Sequence, residues 1–359
     1  MAPFGSSALG FAGTVALIAS LLLGAAVQAE PLVIRVGYAG VGVDNQPFAN
    51  GTYAATARAA GYLEAEFHDD PEIRVDWKFF RGAGPAVNEA IANEQLDISY
   101  QGDLPAIIAR ASGLQTRLVL ATSRAPLYVA VPAKSTLQGI KDLKGRRVAL
   151  FRGTSGHLAA VKVLAANGLT ERDLQIVNMD YAAAIAALAT GGLDAVFGQN
   201  SLIGLEQDGI ARVIYTTKGD DPRFGRNGHV VVTQSFATKH PELVQRVVKA
   251  FVQAAHWSSQ EANRSALLDL WAKSGTPVDV LRKDLEGDKL VERNSPLIDD
   301  FIVEQYRVQA QQAKAYGLIR RDVDVAGWFD RRYLDAALRD LKLETFWARY
   351  DTAGKPLDR

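Results

Sequence analysis

The stretch Thr154-Ser155-Gly156-His157 is the part of this sequence best suited to chemistry on an anion. An apolar run ends at Phe151, Gly153 supplies a turn, and Thr154, Ser155 and Gly156 open a helix. The first N–H groups of a helix have no partner within it and lie at the positive end of its dipole. Short hydroxyl residues and a glycine let an oxyanion approach those donors, and His157 offers another from the first turn. The same residues also read as an ordinary Thr or Ser cap. The two roles are compatible, because a cap occupies only some of the donors.

Gly102-Asp103-Leu104-Pro105 is a second helix start of this kind. Asp103 reads first as a cap, since a carboxylate would repel a bound anion, while Gly102 leaves its own N–H open. Asn45 and Gln46 are neutral donors in a Gly- and Asn-rich loop. His229, with Asn227 two positions earlier, lies where the chain enters a later strand. Arg81 and Arg124 each follow a strand, and a guanidinium can bond an oxyanion through two N–H groups. A surface or hinge position is the alternative for both arginines.

Catalysis has less support. Gly153-Thr154-Ser155-Gly156-His157 lacks the last glycine of a nucleophile elbow. Ser155 and His157 are two apart, and such residues diverge around a helix. The histidines at 68, 157, 229, 240 and 256 show no metal-ligand spacing. No phosphate loop or dinucleotide fingerprint occurs. The expectation is a binding protein with no cofactor and no metal.

These groups need elements to position them. Residues 32–38 alternate as a strand, 40–48 form a loop, and Thr52 to Phe67 has helical spacing. A strand follows at Ile73–Phe79, and a helix opens at Gly82-Ala83-Gly84-Pro85, with proline in the first turn. Leu96–Tyr100 returns as a strand. The unit AVNEAIANEQLDISY, beginning at Ala86, recurs as AAIAALATGGLDAVF from Ala183. Between the copies lie a strand at Leu127–Val131 and a short helix, glycine turn and strand over 140–150. Val230–Thr233 is a further strand, and Pro241–Trp257 begins a helix-rich tail. Strands alternating with helices predict an α/β fold with largely parallel sheets.

Lys plus Arg number 40 and Asp plus Glu 40, with no long block of either sign. That disfavours nucleic acid or an anionic membrane as a partner. The apolar, uncharged residues 1–29 end in Val27-Gln28-Ala29 and read as a signal peptide, cleaved after Ala29. With no cysteine, neither a disulfide nor a lipid anchor after the signal is expected. These features together point to the periplasm.

Five segments, in order, resemble the periplasmic binding proteins for aliphatic sulfonates, taurine and nitrate, whose wider relatives bind thiamine pyrimidines. They are Ile34-Arg35-Val36-Gly37-Tyr38, Gly102-Asp103-Leu104-Pro105, Asp142-Leu143-Lys144-Gly145, Phe151 to His157, and Gly192-Leu193-Asp194-Ala195-Val196. The resemblance implies a type II periplasmic binding protein fold, with two lobes joined by two crossover strands. It places crossings near Arg124–Tyr128 and Gly228–Val231. One lobe then holds 30–125 plus 230–359, and the other holds 126–229. It implies capture of a small organic anion, sulfonate-like first, in the cleft by a monomer that serves the membrane permease of an ABC importer. Relatives often carry an aromatic-Asp-Pro step after the second Leu-Asp-Ala strand. Here Gly198-Gln199-Asn200-Ser201 stands instead and makes Asn200 a candidate amide contact. A thiamine-pyrimidine binding protein or biosynthetic enzyme of the same fold is the alternative. That enzyme would need a cysteine-rich motif, and this chain has no cysteine. An effector half of a transcription regulator would need an N-terminal helix-turn-helix, where the signal peptide stands. Trp328-Phe329, Tyr333 and Trp347 in the tail read as core packing before a docking surface.

Overall fold

The computed structural model describes residues 30–357 together with Met1 and Gly5, apart from the side chains of Ser123 and Arg124. The apolar run and the Val27-Gln28-Ala29 exit expected to form a signal peptide lie outside the described residues.

The chain opens with β1 (Leu32–Tyr38), α1 (Tyr53–Ala59), α2 (Tyr62–Glu66), β2 (Ile73–Phe79), α3 (Ala83–Ala92), β3 (Ile98–Gly102), α4 (Asp103–Ala111) and β4 (Thr116–Ala125). It continues with β5 (Tyr128–Pro132), β6 (Arg147–Leu150), α5 (Ser155–Ala166), β7 (Gln175–Asn178), α6 (Tyr181–Ala189), β8 (Ala195–Gly198), α7 (Ser201–Gln207) and β9 (Ala211–Thr216). Then come β10 (Arg226–Thr233) and seven helices: α8 (Gln234–Lys239), α9 (Pro241–Ser258), α10 (Arg264–Ala272), α11 (Val278–Asp284), α12 (Leu290–Arg293), α13 (Asp300–Ala315) and α14 (Arg332–Leu341).

The strands form two sheets, ordered β2-β1-β3-β10-β4 and β7-β6-β8-β5-β9. In each, the first three strands are parallel and the fourth runs against its neighbours. That fourth strand is the one arriving from the other lobe. The chain leaves the first sheet after Ala125 and re-enters it at Arg226. The second crossing therefore spans 217–225, ahead of the Gly228–Val231 stretch where the sequence placed it. Gly228–Val231 lies inside β10, where Val230 and Val231 are buried in the first lobe's core.

The repeated sequence unit has a shared structural role. In the first lobe, Arg35 N–H donates to Asp97 Oδ2 at 2.9 Å and Asp97 N–H returns a bond to the Arg35 carbonyl at 2.9 Å. In the second, Arg147 N–H meets Asp194 Oδ2 at 2.8 Å and Asp194 N–H meets the Arg147 carbonyl at 2.9 Å. Each Leu-Asp step thus ties the entry of one strand to the parallel strand beside it, β3 to β1 in the first lobe and β8 to β6 in the second. Buried backbone groups need such partners.

Thr52–Phe67, expected as one helix, is two. Gly61 takes the left-handed conformation, φ +71°, and breaks the run between α1 and α2. The tail aromatics pack inward as expected: Trp328, Tyr333 and Trp347 belong to the first lobe's core. The second lobe buries one apolar cluster around α5 and another beneath α6 and α7.

Candidate functional site

The starts of α4 and α5, one from each lobe, meet in the cleft. Gly102 caps α4 in extended backbone, and Ser155 is the first residue of α5. A Cβ on Gly102 would stand 2.6 Å from Ser155 Cβ and 2.8 Å from its Oγ. The α5 start leaves the N–H groups of Ser155 and Gly156 open, whereas at α4 Pro105 has none and Asp103 Oδ1 takes that of Leu104, so the first lobe adds the Asp103 N–H. A third start joins them. Tyr181 opens α6, its Oη lies 3.4 Å from Thr154 Oγ1, and it would sit 2.7 Å from a Cβ on Gly156. Its ring meets Phe151 edge-on at 5.4 Å.

The turn before α5 uses part of its own chemistry. Thr154 Oγ1 donates to the Phe151 carbonyl at 2.7 Å and accepts the His157 N–H at 3.4 Å, so Thr154 is the cap. Gly153, at φ +76°, gives its N–H to His157 Nδ1 at 3.2 Å. A ring nitrogen that accepts bears no proton, so Nε2 holds it. Nε2 lies 3.3 Å from Glu171 Oε2, and the imidazole holds the Glu171 carboxyl below the usual range, with Arg152 assisting. The expectation that His157 donates to the anion is thus corrected: the buried ring braces the turn. Ser155 keeps its hydroxyl without a hydrogen-bond partner among the described residues.

Asp103 is corrected in the same way. It is the first residue of α4, and Gly102 holds the cap position. Its oxygens receive the N–H of Leu104 at 2.7 Å and of Asn227 at 3.1 Å. Burial pushes its carboxyl up, opposed by the charge of Lys162. Lys162 is buried on α5, and its ammonium donates to the Arg223 carbonyl at 2.8 Å. His229 is also misplaced by the sequence reading. Side chains on a strand alternate, so Gly228 flanks the cleft while His229 points into the first lobe's core. There its Nδ1 lies 2.5 Å from Tyr306 Oη, and burial drives the imidazole down to about 3.

The remaining candidates scatter around the cleft. Arg81 pairs across the lobes with Asp180, the cap of α6, at 3.1 Å. Asn200 also crosses, its Nδ2 donating to Asn50 Oδ1 at 3.1 Å. Asn45 and Gln46 are exposed on the same loop as Asn50, in a turn fastened to residue 274 by the Val43 N–H at 2.7 Å. In this loop the amide that reaches the other lobe is Asn50 rather than Asn45 or Gln46. Arg124 belongs to β4, and its side chain lies outside the described residues.

The sequence reading missed a group of hydroxyls at the root of the cleft. Tyr38 Oη lies 3.3 Å from Thr52 Oγ1, and the Tyr38 and Tyr100 rings are 4.6 Å apart. A Cβ on Gly228 would stand 2.5 Å from Thr122 Oγ1 and 2.6 Å from Tyr100 Oη, so only glycine fits between them. Burial raises both phenols, keeping them protonated donors. The positive charge of Arg226 acts on Tyr38, Tyr100 and Asp103, while its Nε and Nη2 hold the Pro126 carbonyl at 3.1 and 2.9 Å. The available signal was Arg226-Asn227-Gly228 before the valine run, had the crossing been set earlier. Beside the crossings a cavity of about 580 Å³ opens, lined among others by Thr122, Pro126, Lys218, Asp288 and Arg293.

Among the described residues, the carboxylates of Asp103, Asp180 and Glu171 already have partners, whereas the α5 start, the hydroxyls and the Arg226 guanidinium lie around the cleft. That set suits a ligand presenting several oxygens and one negative charge.

Two α/β lobes, two crossover strands and a ligand cleft at the strand ends define a type II periplasmic binding protein fold. Residues 56–264 match the family model described as NMT1/THI5 like, and the chain belongs to that family. It is similar to the taurine-binding periplasmic protein of Escherichia coli (strain K12), 27% identical over 63% of this chain and 72% of that protein. Among solved structures it resembles the periplasmic sulfonate-binding protein SsuA from Methylobacillus flagellatus KT. The TM-score is 0.77 at 31% identity, covering 90% of this chain and 98% of the other. The alkanesulfonate-binding protein SsuA from Xanthomonas axonopodis pv. citri, bound to MOPS, gives a TM-score of 0.69 at 27% identity, covering 84% and 99%.

Proposed function

We propose that this protein captures an organic sulfonate in the periplasm and delivers it, as a monomer, to the membrane permease of an ABC importer, without catalysis. The observation that carries this reading is the meeting of the α4 and α5 starts at Gly102 and Ser155. The Ser155 and Gly156 N–H groups of one lobe and the Asp103 N–H of the other can then hold one sulfonate head, so the ligand itself helps join the lobes. Arg226 and the hydroxyls of Tyr38, Tyr100 and Thr122 form the root of the same cleft. The sulfonate- and taurine-binding relatives support this choice over a pyrimidine ligand.

A thermal-shift panel tests it, with methane-, octane- and benzenesulfonate, taurine, nitrate and acetate. A ligand at 100 times its dissociation constant stabilises by about 2.7 kcal/mol, so a true ligand is visible. Stabilisation by sulfonates above acetate is the expected result. No shift with any sulfonate would overturn the reading. Export is part of the proposal: secreted material should begin at Glu30 on N-terminal sequencing, and retention of residues 1–29 in a membrane fraction would refute it.

A further inference from the structure

The short helix α11 lies among the first lobe's helices, yet its side chains divide between the lobes. Leu281, with Leu285 just beyond the helix, is buried in the first lobe's core. Val280 is buried instead in the second lobe's cluster, with Tyr128, Leu202 and Ile203. Val280 also packs beside Gly204 on α7, where a Cβ would lie 3.4 Å from Val280 Cγ2.

Polar contacts reinforce this seam. Tyr128 Oη, on β5 of the second lobe, donates to Asp284 Oδ1 at 2.7 Å. Asp284 Oδ2 accepts from Arg293 Nη2 at 3.1 Å, and all three side chains are buried. Lys218, in the second crossing, pairs with Asp288 at 3.2 Å and donates to the Asp284 carbonyl. Arg293 also reaches the Gly51 carbonyl at 3.3 Å, next to Thr52, the cap of α1 and a partner of Tyr38 at the root of the cleft.

We propose that α11 is a clasp that holds the two lobes closed before any ligand binds, with the Tyr128–Asp284 hydrogen bond as its catch. Rotation about the crossings would strip Val280 from Leu202 and Ile203 and expose apolar surface. It would also leave the Asp284 carboxylate short of one donor in a buried setting. The exposed Arg81–Asp180 pair at the other rim has no comparable hold, because surface ion pairs contribute little. Through Arg293 and Gly51, the clasp also positions the start of α1. Closure is then built into the fold, and the ligand selects a shape already present. This inference does not depend on the identity of the ligand.

Small-angle scattering on exhaustively dialysed protein tests it, with native mass spectrometry verifying that no small molecule remains. Wild type should show the radius of gyration of the closed structure. Tyr128→Phe should be larger, its closed-to-open ratio falling about tenfold or more through loss of a bond to a charged group. Lys218→Met, which leaves the apolar seam intact, should shift the same way by less. Circular dichroism checks the fold of each variant. Were Tyr128→Phe to lose its fold, Lys218→Met alone carries the comparison. An open wild type without ligand, or folded variants as compact as wild type, would overturn the clasp and leave closure to the ligand alone.

Discussion

Gly102 and Ser155 touch across the cleft: a Cβ on the glycine would stand 2.6 Å from that of the serine. The lobes can reach this geometry only because one side of the contact lacks a side chain. Gly102→Ala should therefore hold α4 and α5 apart and weaken sulfonate binding about tenfold or more by calorimetry. Adding Ser155→Gly should recover part of the loss by relieving the clash. Ser155→Ala alone should cost about 0.5–3 kcal/mol of binding, the range for one hydrogen bond to a neutral or charged partner. Wild-type affinity in Gly102→Ala would remove this contact from the ligand site.

Arg226 is the cation the sequence reading passed over. Arg226→Met should weaken binding by about 1.5–3 kcal/mol, the range for hydrogen bonds to a charged group. It should also flatten the dependence of affinity on salt, because the screened charge is gone. Titration of wild type and variant at low and high ionic strength checks both. An unchanged affinity would place the anion away from the root of the cleft.

His157 braces a turn and holds Glu171. His157→Gln should therefore lower the melting temperature while leaving the pH profile of anion binding unchanged between pH 5.5 and 8. A pH dependence of binding that vanishes in the variant would restore His157 as a charged contact.

His229 is kept neutral by burial, its folded value near 3 against about 6.5 when unfolded. For a histidine shifted down, the unfolded chain takes up the proton first. The stability contributed by the neutral ring is full above pH 6.5 and is lost as pH falls from 6.5 towards 3. Each unit in that window removes about 1.4 kcal/mol. His229→Gln, which can still bond Tyr306, should lower stability at pH 7 but show a shallower decline between pH 6.5 and 4.5. Denaturant melts at several pH values decide this, and parallel declines in the two proteins would show that another group controls the acid limb.

Much of the fold was legible because period and turn chemistry are local. The repeated Leu-Asp step, the glycine turn at Gly145 and the helix starts at Gly102 and Thr154 announce α/β units from neighbouring residues alone. The break at Gly61 was missed, since a glycine within a helical pattern interrupts it only where packing selects a left-handed backbone.

The sequence by itself determined which residue types could meet an oxyanion and where the helices α4 and α5 would start. It did not determine which polar groups remain available, because that depends on partners far along the chain. His157 is spent on Glu171, Asp103 on Asn227, Arg81 on Asp180 and His229 on Tyr306. Tertiary structure also brought Tyr38, Tyr100, Thr122 and Arg226 together, from strands whose adjacency follows from sheet order rather than chain order. A polar group's role is set by what satisfies it, and burial forces nearly every such group to find a partner.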